Sequence, residues 1–302
     1  MKTRTKFLIG AGVYLAIFIL MLLVFGSSGK NEAFQPQNEF KLESWIPIHI
    51  GSLDLSVNKA VLYLILASAL TILAMVWVAR RMAQKPNRVQ TAVEVAYDLT
   101  KNNITGGNMD AATATRWFPF LAALFFWIWF SNMLGFLPLP TNTEHTVDVF
   151  GLAIPSFAIY AATANLSIPL VLTLVVWISY HVEGVRSKGL FKYLASWLPP
   201  GLEDMNPVAK GFIFVIEAIS HFARLISLSV RLFANILAGH LLILFMAGGL
   251  VVLLGLAAIG PLTLVMAIAF FLFEVGLVAT LQAFIFAMLS GIYIGFAVES
   301  SH

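Results

Sequence analysis

Apolar runs long enough to cross a bilayer alternate with short polar stretches along almost the whole chain. The first, Phe7 to Gly26, has about 20 residues, enough as a helix to cross a hydrocarbon core of about 30 Å. Lys2, Arg4 and Lys6 precede it. It reads either as an uncleaved span or as a secretory signal, since "FGSSG" offers small residues for cleavage, although signal cores usually have about 7–15 residues. Residues 27 to 56 are polar, carry Pro and Gly, and suit the outside. A second run, Ala60 to Ala79, ends in "ARRMAQKPNR", and the positive-inside rule puts that end in the cytoplasm. Residues 89 to 105 are amphipathic and too polar to span, so they suit the interface. A third span covers about 117–137. The following "LPLPTNTEHTVDVFG" has no Lys or Arg and reads as outside. A fourth covers about 155–181, and Arg186, Lys188 and Lys192 bring the chain back inside.

After Asn206-Pro207, a good helix cap and first residue, the pattern changes. The stretch from 208 to about 247 has roughly 40 residues, or about 60 Å of helix. That is twice an upright span, so the helix is either steeply tilted or broken. Beyond Gly248-Gly249 an apolar stretch at about 251–298 is predicted to return antiparallel and to end inside, with Glu299 and His302 at its tail. The expectation is one all-α integral membrane domain over residues 1–302 with about six hydrophobic helical segments. A tilted hairpin at 208–298 carries its chemistry.

Composition agrees. Of 302 residues, 60% are hydrophobic and 11% charged, whereas soluble domains carry about 25% charged residues. The lipid bilayer is therefore a partner. The net charge of +3 reflects basic loops that orient helices, and no aromatic–basic platform for nucleic acid is present. With no cysteine, thiolate metal sites and cysteine catalysis are excluded. There is no GxxxxGK[ST] loop, so no nucleotide and no other cofactor is expected.

Polar residues on the long helix are not scattered. Glu217, Ser220, Arg224, Ser227, Arg231 and Asn235 are spaced 3, 4, 3, 4 and 4, which keeps them on one face. Such a stripe should meet a water-filled cavity or a polar partner. His240 lies about 180° from Arg231 and about 13 Å further along. Serines here commonly bond back to their own helix, Asn235 can serve as interhelical glue, and Glu217 and Arg224 can snorkel. Arg231 is too far from either end for that in an upright helix. A guanidinium keeps its proton in proteins, so Arg231 is a fixed charge and not a relay. No acid lies within one turn of it, which places its carboxylate on another segment or subunit. In the last segment the strongly polar residues are Glu274 and Gln282, eight apart, or about 12 Å. Arg231 and His240 are about 13.5 Å apart. An antiparallel return with Gln282 level with Arg231 thus brings Glu274 level with His240. A His–Glu pair at depth is a candidate proton site.

At these residues the sequence resembles subunit a of F-type ATP synthases. "SLSVRLFANILAGH" is similar to the family's arginine motif and "LQAFIFAMLSGIYI" to its last-helix motif. "FFWIWFSNMLGFLPLP", "ATANLSIPLVLTL" and "PVAKGFIFVIEAIS" resemble its earlier spans and the start of its tilted helix. The similarity runs over roughly residues 40 to 302. It implies a non-catalytic stator subunit with two offset half-channels, set in a bacterial plasma membrane beside a rotating ring of c subunits. B-type peripheral stalk subunits and a soluble ATPase sector, reached through the stalks, are the other implied partners. Arg231 takes the place of the charge that separates the half-channels. Asn235, His240 and Gln282 match positions of the outer half-channel or the arginine's surroundings, and Glu217 and Ser227 match positions of the inner one. One departure stands out. In many members of the family the acidic or histidine residue of the last helix lies seven before the glutamine; here that position is Val275, and Glu274 lies one earlier, about 100° away on a regular helix. Either a local bulge re-aims Glu274 or its role differs. An autonomous ion channel or secondary transporter is the alternative. A transporter would show paired broken helices from two similar halves, and these halves look dissimilar.

Overall fold

The computed structural model describes residues 5, 10, 12–17, 19–20, 23, 40–42, 44–51, 53–83, 86–149, 152–199, 206–254 and 259–298. Half of the first apolar run therefore lies outside the described residues; its positions 10, 12–17, 19, 20 and 23 are helical. In chain order the helices are α1 (Lys59–Arg80), α2 (Arg88–Asp98), α3 (Ala111–Gly135), α4 (Ser167–Lys188), α5 (Leu190–Ala195), α6 (Pro207–Leu244), α7 (Leu250–Leu254), α8 (Gly260–Phe273) and α9 (Ala279–Val298). π-helical turns follow α2 (Leu99–Gly106), α6 (Phe245–Gly249) and α8 (Glu274–Val278). Among the described residues five helices are long and apolar enough to cross a membrane: Lys59–Arg80, Ala111–Gly135, Ser167–Lys188, Pro207–Val252 and Gly260–Val298. The expectation of an all-α membrane protein holds.

Two expected boundaries move, for local reasons. The third span begins at Ala111, because the Asp110 carboxylate accepts hydrogen bonds from the Ala112 and Thr113 N–H groups and caps a polar first turn. The Thr113 side chain first, and then these N–H bonds, hold the Asp110 carboxyl below its usual value. The fourth span begins at Ser167, not near 155. Residues Leu152–Ala158 form a strand paired antiparallel with Leu139–Val149. Asn165 then accepts from the Ser167 N–H, and Pro169 sits in the first helical turn, where its missing N–H does no harm.

The chain divides into two compact units. One comprises Met1–Glu43, Pro138–Tyr160 and Leu237–Val278. It holds the 139–158 hairpin, the C-terminal end of α6, α7, α8 and the π turn at Glu274–Val278.

The other unit comprises Ser44–Leu137, Ala161–Ile236 and Ala279–His302. It opens with two short antiparallel strand pairs, Ser44–Ile46 with Val57–Asn58 and His49–Ile50 with Leu53–Asp54. Asn58 then caps α1 by accepting from the Val61 N–H. Its core contains Tyr63, Leu121, Ile128, Tyr180, Phe286 and Ile294, each almost fully buried. α3 and α9 are joined by polar contacts inside this core. Asn132 is fully buried; its amide donates to the Ala279 carbonyl at 3.3 Å and its Oδ1 accepts from Thr163 at 2.8 Å. Trp129 donates to Thr280 at 3.1 Å. Further along α9 the glycines at 291 and 295 let backbone approach closely. A Cβ at Gly291 would lie 2.8 Å from the Ile104 carbonyl oxygen, and one at Gly295 would run into the Asn108 carbonyl. Small residues four apart are a usual device for close approach in membranes. Large apolar side chains such as Leu73, Ile72 and Val171 are exposed, which suits contact with lipid.

Candidate functional site

Along the first three quarters of α6, in the second unit, exposed positions recur every three or four residues: Phe212, Val215, Ile219, Phe222, Ile226 and Val230. The helix has an open face. Ser227, Arg231 and Asn235 are exposed as well and lie along one border of that face. Among the described residues no ion pair reaches the Arg231 guanidinium. Ala223 and Ala234 are also exposed beside these polar residues, so their surroundings are low in relief.

The lower half of the stripe has a different environment. Glu217, Ser220 and Arg224 are half-buried. Here α6 is covered by residues from α4, α5 and α9, which enclose a cavity of ≈ 160 Å³. Within its wall Arg224 Nη2 donates to Glu217 Oε1 at 3.2 Å, and the Arg224 guanidinium carbon sits 5.7 Å from the Tyr293 ring centre. Thus the sequence-predicted stripe is continuous along the helix, but its lower acid and base partner each other across seven residues. Of its two arginines, Arg231 is the one without an ion pair among the described residues.

The same cavity is lined by Tyr180, Tyr193, Trp197 and His221, which sequence reasoning did not assign. His221 is buried. Its Nδ1 lies 3.0 Å from the Tyr180 hydroxyl, and its backbone carbonyl accepts from the Trp177 indole at 3.1 Å. A parallel contact joins the Tyr193 hydroxyl and His181 Nδ1 at 3.0 Å. The Trp197 ring stands 4.4 Å from His221, centre to centre, and 5.4 Å from Phe214. Burial pushes the Tyr193 phenol above its usual value, against the pull of Trp197 and Arg224. These side chains come from three helices and a turn, so no single periodicity announces them. The one available signal was His221 itself, four residues after Glu217 and hence on nearly the same face.

Gln282, on α9 in this unit, is buried among Ala279, Ala283 and Phe286 on its own helix. In the first unit, His240 and Glu274 are both buried. The Glu274 carboxyl packs against Gly239, the residue before His240, and occupies the space that a Cβ there would take. Its Oε2 has no hydrogen-bond partner among the described residues. Glu274 also begins the π turn Glu274–Val278. Among the described residues no three of His, Cys, Asp and Glu come together in a way that would hold a metal.

Comparison with known proteins supplies the family. The model described as ATP synthase A chain matches residues 61–295. The chain is 33% identical over 263 residues to ATP synthase subunit a of Rubrobacter xylanophilus, an alignment covering 86% of this chain and 92% of the relative. It is 31% identical over 272 residues to the subunit a of Beijerinckia indica (88% and 97%). Against that of Maricaulis maris it is 33% identical over 277 residues (88% and 98%).

Proposed function

The chain belongs to the ATP synthase A chain family, and we propose that it is the stator subunit that passes protons to and from the carboxylates of a rotating ring of c subunits. Membership makes it a multi-pass subunit of a bacterial membrane complex, working with other ATP synthase subunits. Peripheral stalk subunits of the b type, and through the stalks the soluble ATPase sector, are the remaining partners in this reading.

One observation carries it. Arg231 stands on the open face of α6, without an ion pair among the described residues. An unpaired cation at the middle of a membrane helix costs about 2.5–3.5 kcal/mol on insertion scales, so it calls for a counter-charge from outside the chain. A ring carboxylate arriving in its protonated form is drawn to give up its proton beside a fixed guanidinium, and the same charge repels a proton crossing directly between the two half-channels. Glu217 and Ser227, below Arg231, are assigned to the cytoplasmic half-channel. Asn235, Gln282, His240 and Glu274 are assigned to the outer one. The π turn supports the place given to Glu274. Such a turn takes up one more residue than an α-helical turn, so a count of eight across it stands for a regular helix's seven.

The test is Arg231→Ala in the whole complex. Proton-driven ATP synthesis is expected to vanish while the complex still assembles. Normal synthesis by that variant would sink the reading.

A further inference from the structure

The cavity beneath the arginine holds more chemistry than a passive water channel needs. Its charged side chains, Glu217 and Arg224, are paired at 3.2 Å. Beside them stands an imidazole, the side chain whose charge changes most readily between about pH 5 and 8. The end of α4 nearest the cavity carries Arg186 and Lys188, so the positive-inside rule puts this cavity on the cytoplasmic side. We propose that His221 is the proton-carrying station of the cytoplasmic half-channel, with Tyr180 and Trp177 as its positioning residues and the Glu217–Arg224 pair as its electrostatic frame. This rests on the stator reading above.

The geometry suits the role. With its proton on Nδ1, His221 donates to the Tyr180 oxygen 3.0 Å away, and Nε2 carries the lone pair. A proton released from a ring carboxyl into the cavity water is taken up at Nε2, giving an imidazolium. It then leaves Nε2 for water at the cytoplasmic mouth. One N–H bond forms and breaks, and the bond to Tyr180 serves both charge states, so the ring need not turn. The Trp177 indole holds the His221 carbonyl, fixing α6 against α4 at this residue. The titratable and charged groups around the ring are Tyr180 and His181 from α4, Tyr193 from α5, Glu217 and Arg224 from α6, and Tyr293 from α9. His181 does not share the role. It is absent from the cavity lining, its Nδ1 is held by Tyr193, and its Nε2 is buried with no partner among the described residues.

The experiment uses the intact ATP synthase reconstituted in liposomes, carrying His221→Gln, His221→Phe or, as reference, Arg231→Ala. A positioned proton carrier is worth about 10²–10⁴-fold; with cavity water as a parallel route, His221→Gln is expected to slow proton flux about tenfold. It should also flatten the acid limb of the dependence of flux on cytoplasmic-side pH. Imidazole added on that side should restore flux in His221→Gln, and less so in His221→Phe, where the ring fills the space. Wild-type flux and pH profile in His221→Gln would overturn the proposal. So would a loss that is equal in both variants, keeps the wild-type profile and does not respond to imidazole, since that marks a packing role. Either outcome with proton-driven ATP synthesis lost in Arg231→Ala removes His221 alone, whereas normal synthesis in Arg231→Ala removes the stator reading itself.

Discussion

Gly239→Ala is the sharpest perturbation available at the outer site. A Cβ there falls on the Glu274 carboxyl, so something must yield. The carboxyl is the cheaper to move. Its Oε2 has no hydrogen bond among the described residues, and it ends a flexible side chain, whereas parting two packed helices disturbs many contacts. Alanine also favours the helix over glycine by up to about 1 kcal/mol, which offsets strain in α6. Assembly should therefore survive. Overpacking of this kind costs roughly 1–3 kcal/mol. If that amount is charged against the carboxyl's occupancy of its place, and about 1.36 kcal/mol is a factor of ten in rate, flux through Glu274 falls about 5- to 150-fold. The assay is passive proton flux in reconstituted vesicles, with Gly276→Ala as control, since nothing lies within 4 Å of a Cβ at that glycine. A double-variant cycle isolates the cause. Glu274→Ala alone slows flux, and in its background Gly239→Ala should add nothing, because the clash has gone. Unchanged flux in Gly239→Ala, or a loss that multiplies with that of Glu274→Ala, would refute the reasoning.

Gly295→Ala should fail differently. Its Cβ meets the Asn108 backbone, which cannot swing aside, so the detergent-solubilised subunit should melt lower by roughly 2–4 °C for each kcal/mol of overpacking; an unshifted midpoint counts against the close packing of α9 on residues 104–108. Asp110→Ala should remove a helix cap worth about 1 kcal/mol. The folded carboxyl lies below its usual value, so its contribution is present above that value, near 4, and is lost as pH falls through the lower folded one. The stability gap between wild type and Asp110→Ala should therefore close in acid, and a gap that widens there would show that the carboxylate is not the cap.

What the sequence could and could not disclose follows from the range of each interaction. Spans were readable because hydropathy is a property of consecutive residues. Their ends were misplaced where a polar side chain outside the apolar run holds the first N–H groups of the helix, as Asp110 and Asn165 do. The stripe on α6 was readable from its spacing of three and four, but periodicity gives only an angle around an axis. Whether that angle faces a neighbour or open space depends on chains elsewhere, and so Glu217 and Arg224 became wall while Arg231 stayed exposed. The His221 cluster was out of reach for the same reason: Tyr180, Tyr193, Trp197 and Tyr293 reach it from separate elements, each with an unremarkable local pattern.

Glu274 is the instructive case, because there the sequence exposed a conflict without resolving it. A π turn has no composition of its own; an extra residue in a helix is visible only as a broken count. The departure by one residue from the family's spacing was that broken count, and the chain forms a π turn at Glu274–Val278, where the extra residue has to go. A π turn loosens the hydrogen-bond ladder and is frequent at functional sites, and this one begins on a buried carboxyl whose Oε2 has no hydrogen-bond partner among the described residues. An insertion tolerated for packing alone would gain nothing from a carboxylate at its first position, where desolvation works against the charge. The extra residue, the buried acid and the glycine that makes room for it together support the proton role proposed above for Glu274, and deleting Val275 to restore a regular helix should leave the span intact, turn the acid away from Gly239 and slow proton flux in reconstituted vesicles.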